Sequence, residues 1–501
     1  MSPEPAGPEP HSEPEPLRVP EPRGGPPTRR VLPLAGERRV LALADDLSGA
    51  AETAAALRRP ARILLGSPGS RDAAAVPGPG VALVRDLDTR QLDAASAAAA
   101  VREALRGVAD DTVLFKKTDS LLRGNLAAEA AAYAEGAAAV VIAPALPVAG
   151  RTVRDGVVHL RGTPLHATDA WRAEPLPAPT SVAAALGDPR TAPVPLTVVR
   201  GPAAELTERL RALVRAGHRP VCDAETDADL DAIAAAALRL GPGVRLLGTG
   251  GLAAALGRLL GAADGPGGDR GPDGHDGHGG LGGPDGSDGL GADGAPPAGP
   301  ARGGASAPDT PPGAPSPDAP SAEPARTAAR PLLVVVGTAE PGAVAQIAQL
   351  VAAGARHTAL PAELLAAPGA CLPLTVAPGT VTVVGVDPAQ GIRPGAARQV
   401  VAGLARTVAA ACGPADLVLT GGETARRVLD ALGVAHLVPV GEIHHGAVRS
   451  LASDGRTVVT RPGSYGDAGS LLLIARALRP GDRLPTTEPP VPSPVPQGEF
   501  L

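Results

Sequence analysis

Short apolar runs that stop at polar clusters, each followed by a helix-like stretch, recur along this chain and constrain its fold more than any other feature. The first is Val40-Leu41-Ala42-Leu43-Ala44, stopped by Asp45-Asp46 and followed by a helical stretch from Ala50 to Leu57. An apolar run of this length reads as a strand buried on both faces, and strand–helix alternation reads as a mostly parallel sheet. Runs at 63–65, 81–84, 113–115 and 140–142 repeat the pattern, with helices predicted at 91–106 and 121–134. The alternation resumes later, with strands at 332–336, 380–385 and 417–419 and helices at 340–352, 395–411 and 423–432.

Between the two alternating stretches, residues 262–330 are mainly Gly, Pro, Asp and Ala. That composition buries no apolar area, so it reads as a flexible linker with an end-to-end distance of roughly 45 Å. Residues 1–36, rich in Pro and Glu, and the Pro-rich residues 481–501 read as disordered tails. With 501 residues the chain is too long for one ordinary domain. The expected architecture is α/β with two domains, 37–261 and 331–480. Each holds a mostly parallel sheet flanked by helices, and the long disordered linker joins them.

Composition narrows the function classes. A net charge of -6 gives no electrostatic case for nucleic acid or an anionic membrane surface. Aromatic residues are only 1% of the chain, which argues against base-stacking platforms. The three cysteines, Cys222, Cys371 and Cys412, are far apart and form no CxxC pair. That fits a reducing, cytoplasmic setting and no Cys-based zinc site. Neither a secretory signal nor an apolar run of bilayer-spanning length is expected.

The polar clusters at the strand ends carry the candidate chemistry, because open α/β sheets bind ligands at the carboxyl ends of their strands. Asp45 and Asp46 can accept a hydroxyl proton or hold a metal ion, or Asp46 can simply cap the following helix. Asp86 and Arg90, in Asp86-Leu87-Asp88-Thr89-Arg90, add a carboxylate and a cation to the same edge, unless this is a plain loop. Lys116 to Asn125 packs Lys117, Asp119, Ser120, Arg123 and Asn125 into ten residues. Arg123 offers a planar fork suited to a carboxylate, although a capped helix with solvated charges has the same composition. Arg151 follows the strand ending at Ala143 and is either an anion contact or a surface arginine.

In the second half, Gly421-Gly422-Glu423-Thr424 after strand 417–419 forms a strand–glycine–helix junction. Backbone N–H groups at such a helix start cradle anions, and a tight βα turn reads the same way. Gly337-Thr338 and the stretch from Arg461 through Gly463 to Gly466 have similar form. Neither a P-loop nor a first-turn GxGxxG is present.

In order and spacing these pieces resemble the four-carbon acid sugar kinase family. Ala44 to Ala50 resembles its ADDxTGA strand end, Asp86 to Arg90 its DTDSR segment, Lys116 to Asn125 its KKxDSTLRGN loop, and Ala143 to Arg151 its APAxPxxGR segment. Leu247 to Leu252 resembles its GSAGLA, Gly337-Thr338 the start of its GSxS turn, Thr420 to Thr424 its TGGxT, and Arg461 to Gly466 its KxGGFG. The resemblance implies an N-terminal domain binding a sugar acid and a C-terminal domain binding ATP. The γ-phosphoryl group would pass to a terminal hydroxyl of a tetronate or 3-oxo-tetronate, with Mg²⁺ accompanying the nucleotide.

By the same resemblance, Asp46, Asp119 and Lys117 are catalytic. Asp45, Asp86, Arg90, Ser120, Arg123, Asn125 and Arg151 bind the acid. Gly337, Thr338, Gly421, Gly422, Glu423, Thr424, Gly463 and Gly466 bind ATP. No all-protein metal cage is expected. The expected partners are the sugar acid and ATP, without nucleic acid or membrane, and a homodimer stays open. Arg461 stands where the family has Lys, and Glu340 and Ala343 replace hydroxyl residues. These replacements motivate an alternative: a non-catalytic sensor that binds nucleotide or sugar acid on the same fold.

Overall fold

The computed structural model describes residues 37–66, 77–172, 174–261, 330–338, 340–387, 395–463 and 466–479. The tails read at 1–36 and 481–501, and all of the linker but Arg330, lie outside the described residues. The described elements form an α/β fold built on one large, mostly parallel sheet of fifteen strands with helices packed against it.

In the N-terminal half eight parallel strands lie side by side. Their order is Ala61–Leu64, Ala82–Asp86, Val40–Ala44, Val113–Lys117, Val244–Gly248, Ala139–Ala143, Arg219–Cys222, Thr191–Val194. The C-terminal half contributes five more parallel strands, in the order Arg356–Leu360, Val381–Val386, Leu332–Val336, Asp416–Thr420, Thr457–Arg461. Two antiparallel strands, Ala447–Ala452 and His436–His444, join the blocks. The latter pairs with Ala61–Leu64 through only two register pairs, His436 with Leu64 and Leu437 with Ile63.

Both blocks contain a topological switch point. From Val40–Ala44 the chain runs to strands on one side, then returns to Val113–Lys117 on the other. From Leu332–Val336 it does the same before Asp416–Thr420. Crevices open at such points beyond the carboxyl ends of the strands. Asp45-Asp46 and Thr118-Asp119 stand at the first, and Gly337-Thr338 and Gly421-Gly422 at the second.

Local chemistry starts the helices. Asp46 caps Leu47–Ala56 by accepting from the Gly49 N–H at 2.7 Å, and Asp93 caps Ala94–Leu105 through Ser96 N at 2.9 Å. The helix predicted from residue 121 starts only at Leu126. Asp119 Oδ2 accepts from the Leu121 and Arg123 N–H groups, and Leu122 and Gly124 take positive φ values of 61° and 82°. That carboxylate offers the backbone an alternative to the helix, which delays helix entry. Alternation also failed to reveal the antiparallel pair 436–452 and a small three-stranded sheet, Arg151–Arg154, Val157–Leu160 and Thr163–Pro164. Among the described residues, no helix is long and apolar enough to cross a membrane.

Candidate active site

The two switch points face each other across a cavity of about 380 Å³. Asp46, Ser48, Arg90, Arg123 and Glu174 line one wall. Gly337, Thr338, Glu340, Gly463 and the run Thr420 to Thr424 line the other. The walls come very close: a Cβ added to Gly422 would sit 2.6 Å from Asp46 Oδ2. Gly421 has φ 85°, a left-handed conformation that a side chain strains, and it turns the strand end into helix Gly422–Ala431. The N-terminal N–H groups of that helix therefore open toward the carboxylates opposite.

The first wall is an ion-pair network. Arg90 donates from Nε to Asp45 Oδ2 at 2.9 Å and from Nη1 to Asp46 Oδ2 at 2.7 Å, and its Nη2 lies 3.7 Å from Asp119 Oδ1. Arg123 grips both oxygens of Asp119 through Nε and Nη2, each at 2.9 Å. These neighbours separate the carboxylates electrostatically. Burial works against charge on Asp119, but Arg90 and Arg123 hold its carboxyl far below the usual range. Burial works against Asp45 also, and Arg90 with Lys116 and Lys117 outweighs it, so that carboxyl is lowered. On Asp46 burial, reinforced by the Asp45 charge, outweighs Arg90 and raises the carboxyl above its ordinary value. Asp46 is thus the more basic carboxylate of the three, and it is the one lining the cavity.

Other predicted side chains face elsewhere. Lys117 is buried against Glu52 at 3.2 Å and donates to the Thr118 carbonyl. Asp86 is buried in an ion pair with Arg426, from the other half. The Asn125 amide donates to the Thr89 and Leu92 carbonyls and shapes the loop. Ser120 is buried and accepts from Arg151, which stands on the small sheet. Gly466, at φ 90°, packs on Ser470.

Arg461 is 1% exposed and donates to the Pro462 and Gly463 carbonyls, each at 3.2 Å, and to Ser470 Oγ at 2.8 Å. Burial lowers it to about 10. It supports the Gly463 loop from beneath, away from the cavity. Sequence reasoning missed Glu174, Asp88, and Arg426 with Arg427. An Arg-Arg pair one turn inside the helix was the available signal.

Among the described residues, the buried hydroxyls of Ser48 and Thr420 beside the cleft have no hydrogen-bond partner. Unsatisfied buried polar groups of this kind suit a polyanionic ligand and its cation. Among the described residues no cluster of three or more metal-ligating side chains occurs.

Fold and site together define a two-walled α/β protein in which an arginine–carboxylate network faces a glycine-rich turn at a helix start. The family model of a sugar-binding N-terminal domain matches residues 40–256, and that of a nucleotide-binding C-terminal domain matches 374–471, together more than half of the chain. The chain belongs to the four-carbon acid sugar kinase family. It is 39% identical over 224 residues to a D-threonate kinase of Cupriavidus necator, covering 43% of this chain and 53% of that protein. It is 38% identical over 240 residues to a D-threonate kinase of Bordetella bronchiseptica, covering 45% and 56%. The chain spans about half the length of the curated relatives it matches.

Two solved structures share the fold. One, from Salmonella typhimurium LT2 and solved under the name of a tRNA synthase, has a TM-score of 0.59 at 18% identity over 88% of this chain and 99% of its own. The other, a Haemophilus influenzae protein of a domain family of unknown function, has 0.56 at 17% over 87% and 100%. At such identities the likeness concerns the fold alone.

Proposed function

We propose that this chain is an ATP-dependent kinase that phosphorylates a terminal hydroxyl of a four-carbon sugar acid, a tetronate or 3-oxo-tetronate. Residues 37–261 would bind the acid and 331–480 the nucleotide. The observation carrying this reading is the single cavity with a basic carboxylate, Asp46, on one wall and the Gly421–Thr424 helix start on the other.

In the proposed step the substrate hydroxyl oxygen attacks the γ-phosphorus and its proton passes to Asp46. The bond to the β–γ bridging oxygen breaks and ADP leaves. Catalysis of this class rests on positioning and electrostatics. Arg90 keeps Asp46 turned to the cleft. Arg123 presents its guanidinium edge to the acid's carboxylate, with Arg151 and Ser120 supporting that side. The Gly421-Gly422 N–H groups, Thr424, Thr338 and Gly463 hold the phosphates. Glu423 would hold Mg²⁺ together with the phosphates, and the ion would neutralise charge developing on them. Asp119, with both oxygens taken up by Arg123, serves as a brace.

The test is ADP release, measured by a coupled assay, on D-threonate, D- and L-erythronate and 3-oxo-tetronates. Turnover on at least one supports the reading. Folded protein with Mg²⁺ and no turnover on any of them overturns it, and ligand binding by calorimetry without turnover would instead favour the sensor alternative.

A further inference from the structure

The segment from Asp86 to Gln91 has two faces. Inward, its Arg90 ties Asp45 and Asp46 together. Outward, it is grasped three times by helices of the other half. Arg426 Nη1 meets Asp86 Oδ2 at 3.1 Å, Arg427 pairs with Asp88, and Arg398 donates to the Gln91 carbonyl. Arg426 and Asp86 are 4% and 1% exposed, and Arg426 is further held by Asp430 at 2.8 Å.

Arg426 lies four residues after Gly422 on helix Gly422–Ala431, so the two share one helix face. The helix start that enters the cavity and the guanidinium that reaches across are therefore rigidly connected. Away from the cavity the strand ladder linking the halves consists of two register pairs, His436 with Leu64 and Leu437 with Ile63. Helix Leu47–Ala56 also packs against helix Gly422–Ala431 and the strands His436–His444, Ala447–Ala452 and Thr457–Arg461, so the buried pair acts alongside apolar packing between the halves rather than alone.

We propose that the Arg426–Asp86 pair, seconded by Arg427–Asp88, is a latch that sets the angle between the halves and seats Gly421–Thr424 against Asp46. Arg426 is on this account a positioning residue. The latch leans on the kinase reading only for what the walls bind; the geometry it holds does not depend on that reading. Removing Arg426 leaves the buried Asp86 carboxyl without its partner and takes the tie between the halves away, so one truncation tests the latch.

The test uses the full chain with nitroxides at Arg209→Cys and Ala348→Cys. Both positions are exposed, one on each half, and Cys371→Ser removes the exposed native thiol. Dipolar spectroscopy should give one narrow distance in this background. R426M should add a longer-distance population, and D86N placed on top of R426M should add nothing further. R426K should restore the short distance in part. Kinetically, R426M should lower kcat about 10²-fold with a much smaller change in ADP affinity, and R426K should recover part of the loss.

An R426M protein that melts normally and shows the parent distance distribution overturns the latch. Should R426M not fold, R426K carries the test: unchanged distances and unchanged kcat overturn it. Altered distances with no acid turned over by any variant, parent included, would fault the kinase reading and leave the latch standing. Full turnover in both parent and R426M would do the reverse.

Discussion

The two walls of the cavity reach fixed geometry by opposite means. The wall at Asp45, Asp46, Asp119 and Arg123 is made of charged side chains, each held by another: Arg90 bridges three carboxylates, and Arg123 grips the last with two bonds. The wall at Gly337, Gly421 and Gly422 is made of backbone, and its shape depends on missing side chains. A Cβ at Gly337 would overlap the Thr424 hydroxyl, and one at Gly422 would press on Asp46. A charged wall tunes protonation and reads a small anion by direction. A bare wall lets phosphates reach N–H groups that no mutation of a neighbouring side chain removes. The first should fail when groups are deleted and the second when atoms are added.

The sharpest break of this contrast is Asp46→Asn. Asn still caps helix Leu47–Ala56, so melting should change little, while kcat falls about 10³-fold through loss of the proton acceptor. Coupled assay and circular dichroism melts read the two effects separately. Gly422→Ala tests the other wall: one added methyl should lower kcat/KM for nucleotide about 10²-fold, with acid binding measured by calorimetry nearly unchanged. A third, smaller effect belongs to Arg123→Ala. It should raise KM for the acid about 30-fold, or ~2 kcal/mol, and far more than KM for ATP. An equal rise in both would remove Arg123 from acid binding.

The smallest expected effect is a pH slope. Burial, resisted by Arg426 and assisted by Asp88 and Asp46, pushes the Asp86 carboxyl up to about 7. Its folded value lies above the unfolded one, so between about pH 4 and 7 the native state binds more protons. The contribution of this group to stability therefore declines as pH rises through that window and is level above it. Asp86→Asn lacks that decline. Its stability relative to the parent should rise with pH across the window, by at most ~1.4 kcal/mol per pH unit, in denaturant titrations at a series of pH values.

Much of the fold was legible because strands buried on both faces read as unbroken apolar runs. Val40–Ala44, Leu332–Val336 and Asp416–Thr420 stand where such runs predicted them. The polar residues just after them were legible as candidates for the same reason, since chain direction places them at one edge. The helix predicted from 121 was misread because Leu121 and Leu122 look like the start of an apolar face. The Asp119 carboxylate that accepts from the Leu121 and Arg123 N–H groups carries no periodic signal. The direction each polar side chain takes was not legible either. Lys117 turns to Glu52, Asn125 to the carbonyls of Thr89 and Leu92, and Asp86 to Arg426.

The order of strands and helices, the polar clusters that follow them and the glycines that leave one wall bare are properties of the chain read along its length. They depend on neighbours a few residues apart. Which carboxylate stays basic, which cations face the cleft and how the halves are held together depend on groups tens to hundreds of residues away. Asp86 and Arg426 are separated by 340 positions. Burial and Coulomb interaction act through space, so only the folded arrangement turned Asp46 to the cavity, Asp119 to Arg123 and Arg426 to the opposite half.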